Sequence, residues 1–190
     1  MTDNDQERYD VFEELYQSNI DPWDVETSEY EAAKRLETLK VMGDRKFAHI
    51  LEVGCGTGVL TQMLAEHAEN VTAMDLSPTA IAAAKKRLKL IASVKLVCGD
   101  ILSDQLNGPF DCAIVSEVLY FLDPEEISRA AELIHTHLQA GGLCELVNWT
   151  GENDCPISGP EAVQHFLEGA EWSNWTTRTF SSYQIDTFRT

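Results

Sequence analysis

Basic residues are scarce. Against 32 Asp and Glu the 190-residue chain carries only 14 Lys and Arg, a formal net charge of −18 at pH 7. Proteins that bind duplex or single-stranded nucleic acid do so by neutralising phosphates with Lys and Arg, so nucleic acid is not an expected partner. No apolar run approaches the ~18 residues needed to cross a bilayer, and no membrane association is expected. The first thirty residues hold ten acids and one base, Arg8, around no apolar centre. That is not the make-up of a secretory or organelle-targeting segment, and a cytoplasmic location is expected. Cysteine is sparse as well: Cys55, Cys98, Cys112, Cys144 and Cys155 are odd in number and widely spaced, without a C-x-x-C pair. Neither a disulfide framework nor a zinc or redox site is indicated. The histidines do not cluster, since His135 and His137 are two apart on an expected helix and face different sides, while His49, His67 and His165 stand alone. No metal site is expected.

With 44% hydrophobic residues in 21.2 kDa, the chain is long enough for one well-buried core. No repeat, low-complexity tract or Gly/Ser/Pro-rich linker divides it, so residues 1–190 are expected to form a single domain. From Phe47 onward short β-branched runs alternate with longer amphipathic ones, the pattern of βαβ units winding a largely parallel sheet. Strands are predicted over 48–53, 71–75, 94–97, 110–116 and 143–149. Helices are predicted over 58–69, from 77 or 78 to about 91, and over 124–138, the last stopped by Gly141-Gly142. Ser77 suits an N-cap, and Pro78 suits the first helical position. Beyond Gly151 a helix over 160–167 precedes two strands, 175–180 and 183–188, whose short connection makes them antiparallel. Upstream, 5–16 and 28–42 have helical spacing interrupted at Asp21-Pro22-Trp23. Residues 1–45 thus form a candidate cap over a core spanning 46–190.

The most informative stretch is Ile50-Leu51-Glu52-Val53-Gly54-Cys55-Gly56-Thr57-Gly58, an apolar strand running into three alternating glycines and then a helix. Residues without a Cβ let backbone approach a ligand closely, and the helix N-terminus that follows presents free amides. Asp75 ends the next strand 21 residues beyond Gly54, the context expected of a nucleotide-binding crossover. The dinucleotide fingerprint requires G-x-G-x-x-G or A, whereas this chain has G-x-G-x-G with Val59 at the third small position. Glu52, just ahead of the first glycine, suits an ammonium better than a pyrophosphate. Both features count against a nicotinamide dinucleotide.

An acid, any residue, then G-x-G-x-G resembles the first motif of the class I S-adenosylmethionine-dependent methyltransferases, and the resemblance covers about residues 45–150. It implies a Rossmann-like α/β fold with a seven-stranded, mostly parallel sheet, an antiparallel last strand and helices on both faces. S-adenosyl-L-methionine would lie across the carboxyl ends of strands one, two and four, leaving S-adenosyl-L-homocysteine as product. By the same resemblance Glu52, Gly54, Gly56 and Gly58 belong to the cofactor loop, and Asp75 holds the two ribose hydroxyls. Leu76 packs on the adenine face, Asp100 accepts from the exocyclic amine, and the Ile101 amide donates to the ring. Ser116 and Glu117 stand where the fourth strand's end faces the methyl group.

Asp21-Pro22-Trp23, Tyr30-Glu31 and the pair Lys34-Arg35, placed about twenty residues ahead of the glycines, resemble the cap of the nodulation protein S group of N-methyltransferases. In that group a tryptophan and a basic residue enclose the cofactor's methionine end. Trp23 and Lys34 take those positions here, with Arg35 the alternative. Lysine lacks the bidentate fork of the group's arginine. Methyl transfer from a sulfonium is an in-line displacement that requires positioning and exclusion of water rather than a covalent residue. An amine acceptor must arrive uncharged, so an adjacent proton acceptor helps. Glu117 and Tyr120 are the candidates for that role, with Asn148 and Trp149 at the fifth strand's exit. The expected activity is methylation of a small-molecule acceptor, an amine of a sugar or other metabolite, with a hydroxyl acceptor or a non-catalytic cofactor-binding protein as alternatives.

Overall fold

The computed structural model describes residues 3–103 and 106–190. Residues 1, 2, 104 and 105, part of the expected single domain, lie outside the described residues. Two helices lead, α1 (Asp3–Ser18) and α2 (Glu29–Met42), followed by β1 (Phe47–Val53), α3 (Val59–His67), β2 (Ala68–Asp75), α4 (Pro78–Arg87) and β3 (Val94–Cys98). The second half runs β4 (Phe110–Ser116), a 3-10 turn (Leu119–Phe121), α5 (Pro124–His137), β5 (Leu138–Trp149), α6 (Gly159–Glu168), β6 (Ser173–Thr179) and β7 (Tyr183–Arg189). The sheet order is β3-β2-β1-β4-β5-β7-β6, with β7 antiparallel to both neighbours and every other pairing parallel. This is the Rossmann-like sheet expected from the βαβ rhythm. Strand order reverses between β1 and β4, and in such sheets ligands bind outside the carboxyl ends of the strands at that point.

Side chains alternate across the central strands, and each face buries a separate cluster. Leu51, Val53, Ala113 and Val115 pack with Ile127 and Ile134 of α5 and Phe166 of α6, while Ile50, Cys112 and Ile114 pack with Leu64 of α3, Ile81 of α4 and Met42 of α2. Helices therefore cover both faces. Their starts follow local chemistry: Ser77 accepts from the Ala80 amide with Pro78 in the first turn, and Asp123 with Glu126 and Ser158 with Glu161 close reciprocal capping boxes.

Three boundaries differ most from expectation, those of β2 and β5 because ladder pairing outweighs local propensity. Strand β2 begins at Ala68 rather than 71, since Ala68 and Asn70 pair with Phe47 and His49 at the foot of β1. Gly141-Gly142 do not stop a helix; they lie inside β5, where Leu138 pairs with Phe110 and the register then jumps to Cys112 opposite Leu143. Helix α4 ends at Arg87 rather than near 91. The edge strand β6 is exposed along its length and shifts register between Ser173 and Thr176. Among the described residues no helix is long and apolar enough to cross a membrane.

Phe166 is fully buried and stacks on Trp172 with ring centroids 5.2 Å apart. Phe166→Ala is expected to lower the unfolding free energy in urea by about 3–5 kcal/mol.

Candidate active site

Beyond Val53 the chain turns through Gly54 to Gly58 into α3. The amides of Gly54 and Cys55 both donate to the Met74 carbonyl, at 2.9 and 3.0 Å, tying the loop to the end of β2. All three glycines have positive φ, 82°, 52° and 81°, a region that disfavours side chains. At Gly54 a Cβ would also meet Val118 Cγ2 at 2.3 Å, and at Gly58 it would press on Leu88 and Ala84 of α4. A Cβ at Gly56 would come within 2.9 Å of the Tyr16 hydroxyl, which reaches the loop from α1. Gly54 and Gly56 line a cavity of about 1290 Å³ over the strand ends; Gly58 does not, and its role is close packing of α3 against α4.

Two carboxylates flank this loop on the cavity wall. Asp75 accepts from the Gly56 amide at 2.8 Å and from the Ser77 amide at 2.9 Å, and burial pushes its carboxyl above the usual range. Glu52 is 1% exposed, and its Oε2 has no hydrogen-bond partner among the described residues. Burial pushes the Glu52 carboxyl up to about 7. A buried carboxylate oxygen without a donor calls for one, and a ligand ammonium in the cavity would supply it. Leu76, Ile101 and Ser116 line the same space. Asp100 lines it too, accepting from the Leu102 amide at 2.9 Å and from Arg8 at 3.3 Å.

Helix α1 roofs the cavity through polar and aromatic contacts. Arg8 bridges Asp100 and Glu126, and Phe12 meets Phe121 edge-on at 4.8 Å. Glu13 accepts from the Ser77 and Thr79 hydroxyls and the Thr79 amide. Burial alone would raise the Glu13 carboxyl, but donation from Ser77, Thr79 and Gln17 brings it down to about 2. Trp23 stands at the mouth, 45% exposed, with its ring 5.7 Å from that of Tyr16. That exposure makes it part of the opening, not of the core.

On the opposite wall one network joins α2 to the ends of β4 and β5. The Lys34 ammonium, buried in α2, donates to Glu31 at 2.8 Å and to Glu117 Oε1 at 2.6 Å. Glu117 Oε2 accepts from the Tyr120 hydroxyl at 2.6 Å and from the Trp149 amide at 2.9 Å. Glu117 itself has φ 57°, a conformation that costs a residue with a side chain roughly 1–2 kcal/mol. Its amide donates to the Val147 carbonyl at 2.8 Å, so pairing to β5 holds the strained backbone. Burial, with the Glu117 charge beside it, pushes the Tyr120 hydroxyl well up, so Tyr120 acts as a donor to Glu117 rather than as a phenolate.

The structure thus brings Trp23, Lys34, Glu52, Gly54, Gly56, Asp75, Leu76, Asp100, Ile101, Ser116, Glu117 and Tyr120 to one cavity. Trp149 joins them, whereas Asn148 is fully buried away from it beside Gly159. Arg35 lines the wall but donates to the Val25 carbonyl at 2.8 Å, fixing the turn between α1 and α2. Not anticipated were Arg8, Phe12, Glu13 and Tyr16, although Arg8, Phe12 and Tyr16 are spaced by four, which places them on one helix face. Among the described residues no group of three or more His, Cys, Asp or Glu could hold a metal ion.

The model of the nodulation protein S (NodS) family matches residues 5–143, most of the chain. The chain belongs to the NodS family. The nodulation protein S of Azorhizobium caulinodans is 34% identical over 113 residues, 58% of this chain and 54% of that protein. The chain spans about half the length of the curated NodS relatives it matches. Among solved structures, the N-methyltransferase NodS of Bradyrhizobium japonicum WM9 in complex with S-adenosyl-L-homocysteine superposes with a TM-score of 0.81. It shares 24% identity, and 98% of each chain is covered. A DhpI–SAM–HEP complex superposes with a TM-score of 0.80 at 19% identity over both whole chains. At these identities the likeness establishes a common fold, and it extends over the two leading helices as well as the sheet.

Two predictions concern the carboxyls of Glu52 and Glu13. Because the folded Glu52 carboxyl titrates near 7 against 4.5 in the unfolded chain, its contribution is fully present below about pH 4.5 and is lost as pH rises through 7. Relative to the wild type, Glu52→Gln should therefore gain thermal stability between pH 4.5 and 7.5, read as a melting-temperature difference that widens with pH. Glu13→Ala removes the donors' common acceptor between α1 and α4, and trypsin cleavage after Arg8 should become several-fold faster while the sheet's far-ultraviolet circular dichroism is unchanged.

Proposed function

We propose that this NodS-family chain is an S-adenosylmethionine-dependent methyltransferase acting on a small-molecule amine, on a sugar or another metabolite, in the cytoplasm. Residues 1–45 act as the cap and 46–190 as the core of one domain. The observation that carries this reading is the three-glycine loop with positive φ at Gly54, Gly56 and Gly58, flanked in one cavity by Asp75 and by Glu52 with its unpartnered Oε2. Those residues fit a nucleoside bearing an ammonium. Asp75 takes the ribose hydroxyls on lone pairs beyond those used by the Gly56 and Ser77 amides. Glu52 takes the ammonium, Leu76 and Ile101 bracket the base, and Asp100 meets the base's amine. Trp23 and Lys34 close over the amino-acid end. The same ligand class is named for the family's solved NodS complex and for the DhpI complex.

When bound, the sulfonium supplies an electrophilic methyl group. The chain's own work is placement and proton acceptance. Its cavity, at about 1290 Å³, exceeds the roughly 300–1,000 Å³ of ordinary ligand sites, leaving space for an acceptor beside the nucleoside. Helix α1 and the Trp23 turn exclude water from that space. Glu117, fixed by Tyr120 and the Trp149 amide, takes the proton that the amine nitrogen sheds as its N–C bond forms. The Trp149 ring, packed edge-to-face with Tyr30 at a centroid distance of 6.2 Å, lines the cavity beside that carboxylate and suits a methylated cation.

Asp75→Ala should weaken S-adenosyl-L-homocysteine binding by about 2 kcal/mol in calorimetry, the loss expected for charge-assisted hydrogen bonds. Unchanged affinity would remove the ribose assignment. A panel of small amines with labelled donor tests the reaction itself; donor binding without transfer to any amine or alcohol would reduce the protein to a cofactor-binding module.

A further inference from the structure

The two oxygens of Glu117 are used differently. Oε2 is clamped by fixed groups, the Tyr120 hydroxyl and the Trp149 backbone amide, whereas Oε1 is held by Lys34, at the end of a flexible four-carbon stem. Lys34 carries three donors and spends one on Glu31, three residues earlier in the same helix, so that bond tethers the ammonium to the cap in any case. Of the three basic side chains on the cavity wall, Arg8 is engaged by Asp100 and Glu126, and Arg35 supports the Val25 carbonyl. A ligand carboxylate entering this cavity, whose wall also carries Glu31, Glu52, Asp75, Glu117 and Glu126, needs a cation. Lys34 is also tethered within its own helix, so its bond to Glu117 can be exchanged while Glu31 still holds it.

We infer that Lys34 masks Glu117 in the ligand-free protein and is drawn to the carboxylate of the incoming nucleoside, so that cofactor binding uncovers Glu117 Oε1 for the acceptor amine. The inference rests on the methyltransferase reading above and adds a binding order to it. With Lys34 in place, an acceptor ammonium meets a carboxylate already neutralised. With Lys34 withdrawn, it meets an acceptor oxygen held in position by Tyr120, Trp149 and the strained Glu117 backbone. Lys34 is therefore a positioning residue that acts through Glu117.

The exchange makes the cofactor's carboxylate and Glu117 competitors for one ammonium, and calorimetry can read that competition without turnover. S-adenosyl-L-homocysteine and methylthioadenosine, which keeps the nucleoside and sulfur but lacks the amino-acid end, are titrated into the wild type, Glu117→Gln, Lys34→Met and the double variant. Glu117→Gln is expected to tighten S-adenosyl-L-homocysteine about fivefold or more and to leave methylthioadenosine unchanged. Lys34→Met should weaken S-adenosyl-L-homocysteine alone, and in that background Glu117→Gln should have no further effect. If Lys34→Met does not fold, Lys34→Gln takes its place. Unchanged or weaker binding to Glu117→Gln, equal tightening of both ligands, or tightening that survives loss of Lys34 would each overturn the exchange. Failure of the wild type to bind either nucleoside would instead overturn the methyltransferase reading.

Discussion

The bond from the Gly56 amide to the Asp75 carboxylate is the constraint on which the rest of the site depends. It joins the turn after β1 to the end of β2 and fixes the floor of the cavity. It requires backbone conformations that glycine tolerates and side chains resist, and it keeps a carboxylate at the sheet edge despite the cost of desolvating it. From that point the cap is organised: Tyr16 descends on Gly56, and Glu13 ties α1 to the first turn of α4 immediately beyond Asp75.

A second constraint lies on the other side of the crevice. Glu117 sits in a left-handed conformation because β5 accepts its amide and donates the Trp149 amide to its side chain. The fifth strand thereby sets the direction of a carboxylate belonging to the fourth. Helix α2 contributes the countercharge through Lys34, so this wall of the cavity is assembled from three separate elements and the opposite wall from the glycine loop and β2. The solved NodS complex shares this fold over nearly its whole length, the two leading helices included.

Much of this was legible from residue order, for reasons that differ by element. Strand β4, Phe110–Ser116, has the predicted bounds because Pro109 precedes it and the apolar run over 112–115 ends at a polar exit. The glycine loop and Asp75 were legible because backbone chemistry restricts which residues can occupy such a turn. The extension of β2 back to Ala68 and the inclusion of Gly141-Gly142 within β5 were not, since both depend on which strand lies alongside. Gly58 matched the glycine pattern, yet its neighbours are α4 side chains, and only packing separates a glycine needed by a ligand from one needed by a helix. The four-residue spacing of Arg8, Phe12 and Tyr16 marked a helix face. Its partners, Asp100, Glu126, Phe121 and Gly56, are distant in sequence and share no pattern with it.

The register shift in β6 bears on how copies of the molecule meet. A flat outer strand offers its unpaired amides and carbonyls to any similar strand, and a kink there is a common protein defence. Here the irregularity falls between Ser173 and Thr176, on the border farthest from the crevice along the β4 side of the sheet. With a formal charge of −18 repelling like molecules, lateral stacking into fibrils is opposed both by shape and by Coulomb repulsion. Strands β5 and β7 separate that guarded border from the cavity at the strand ends.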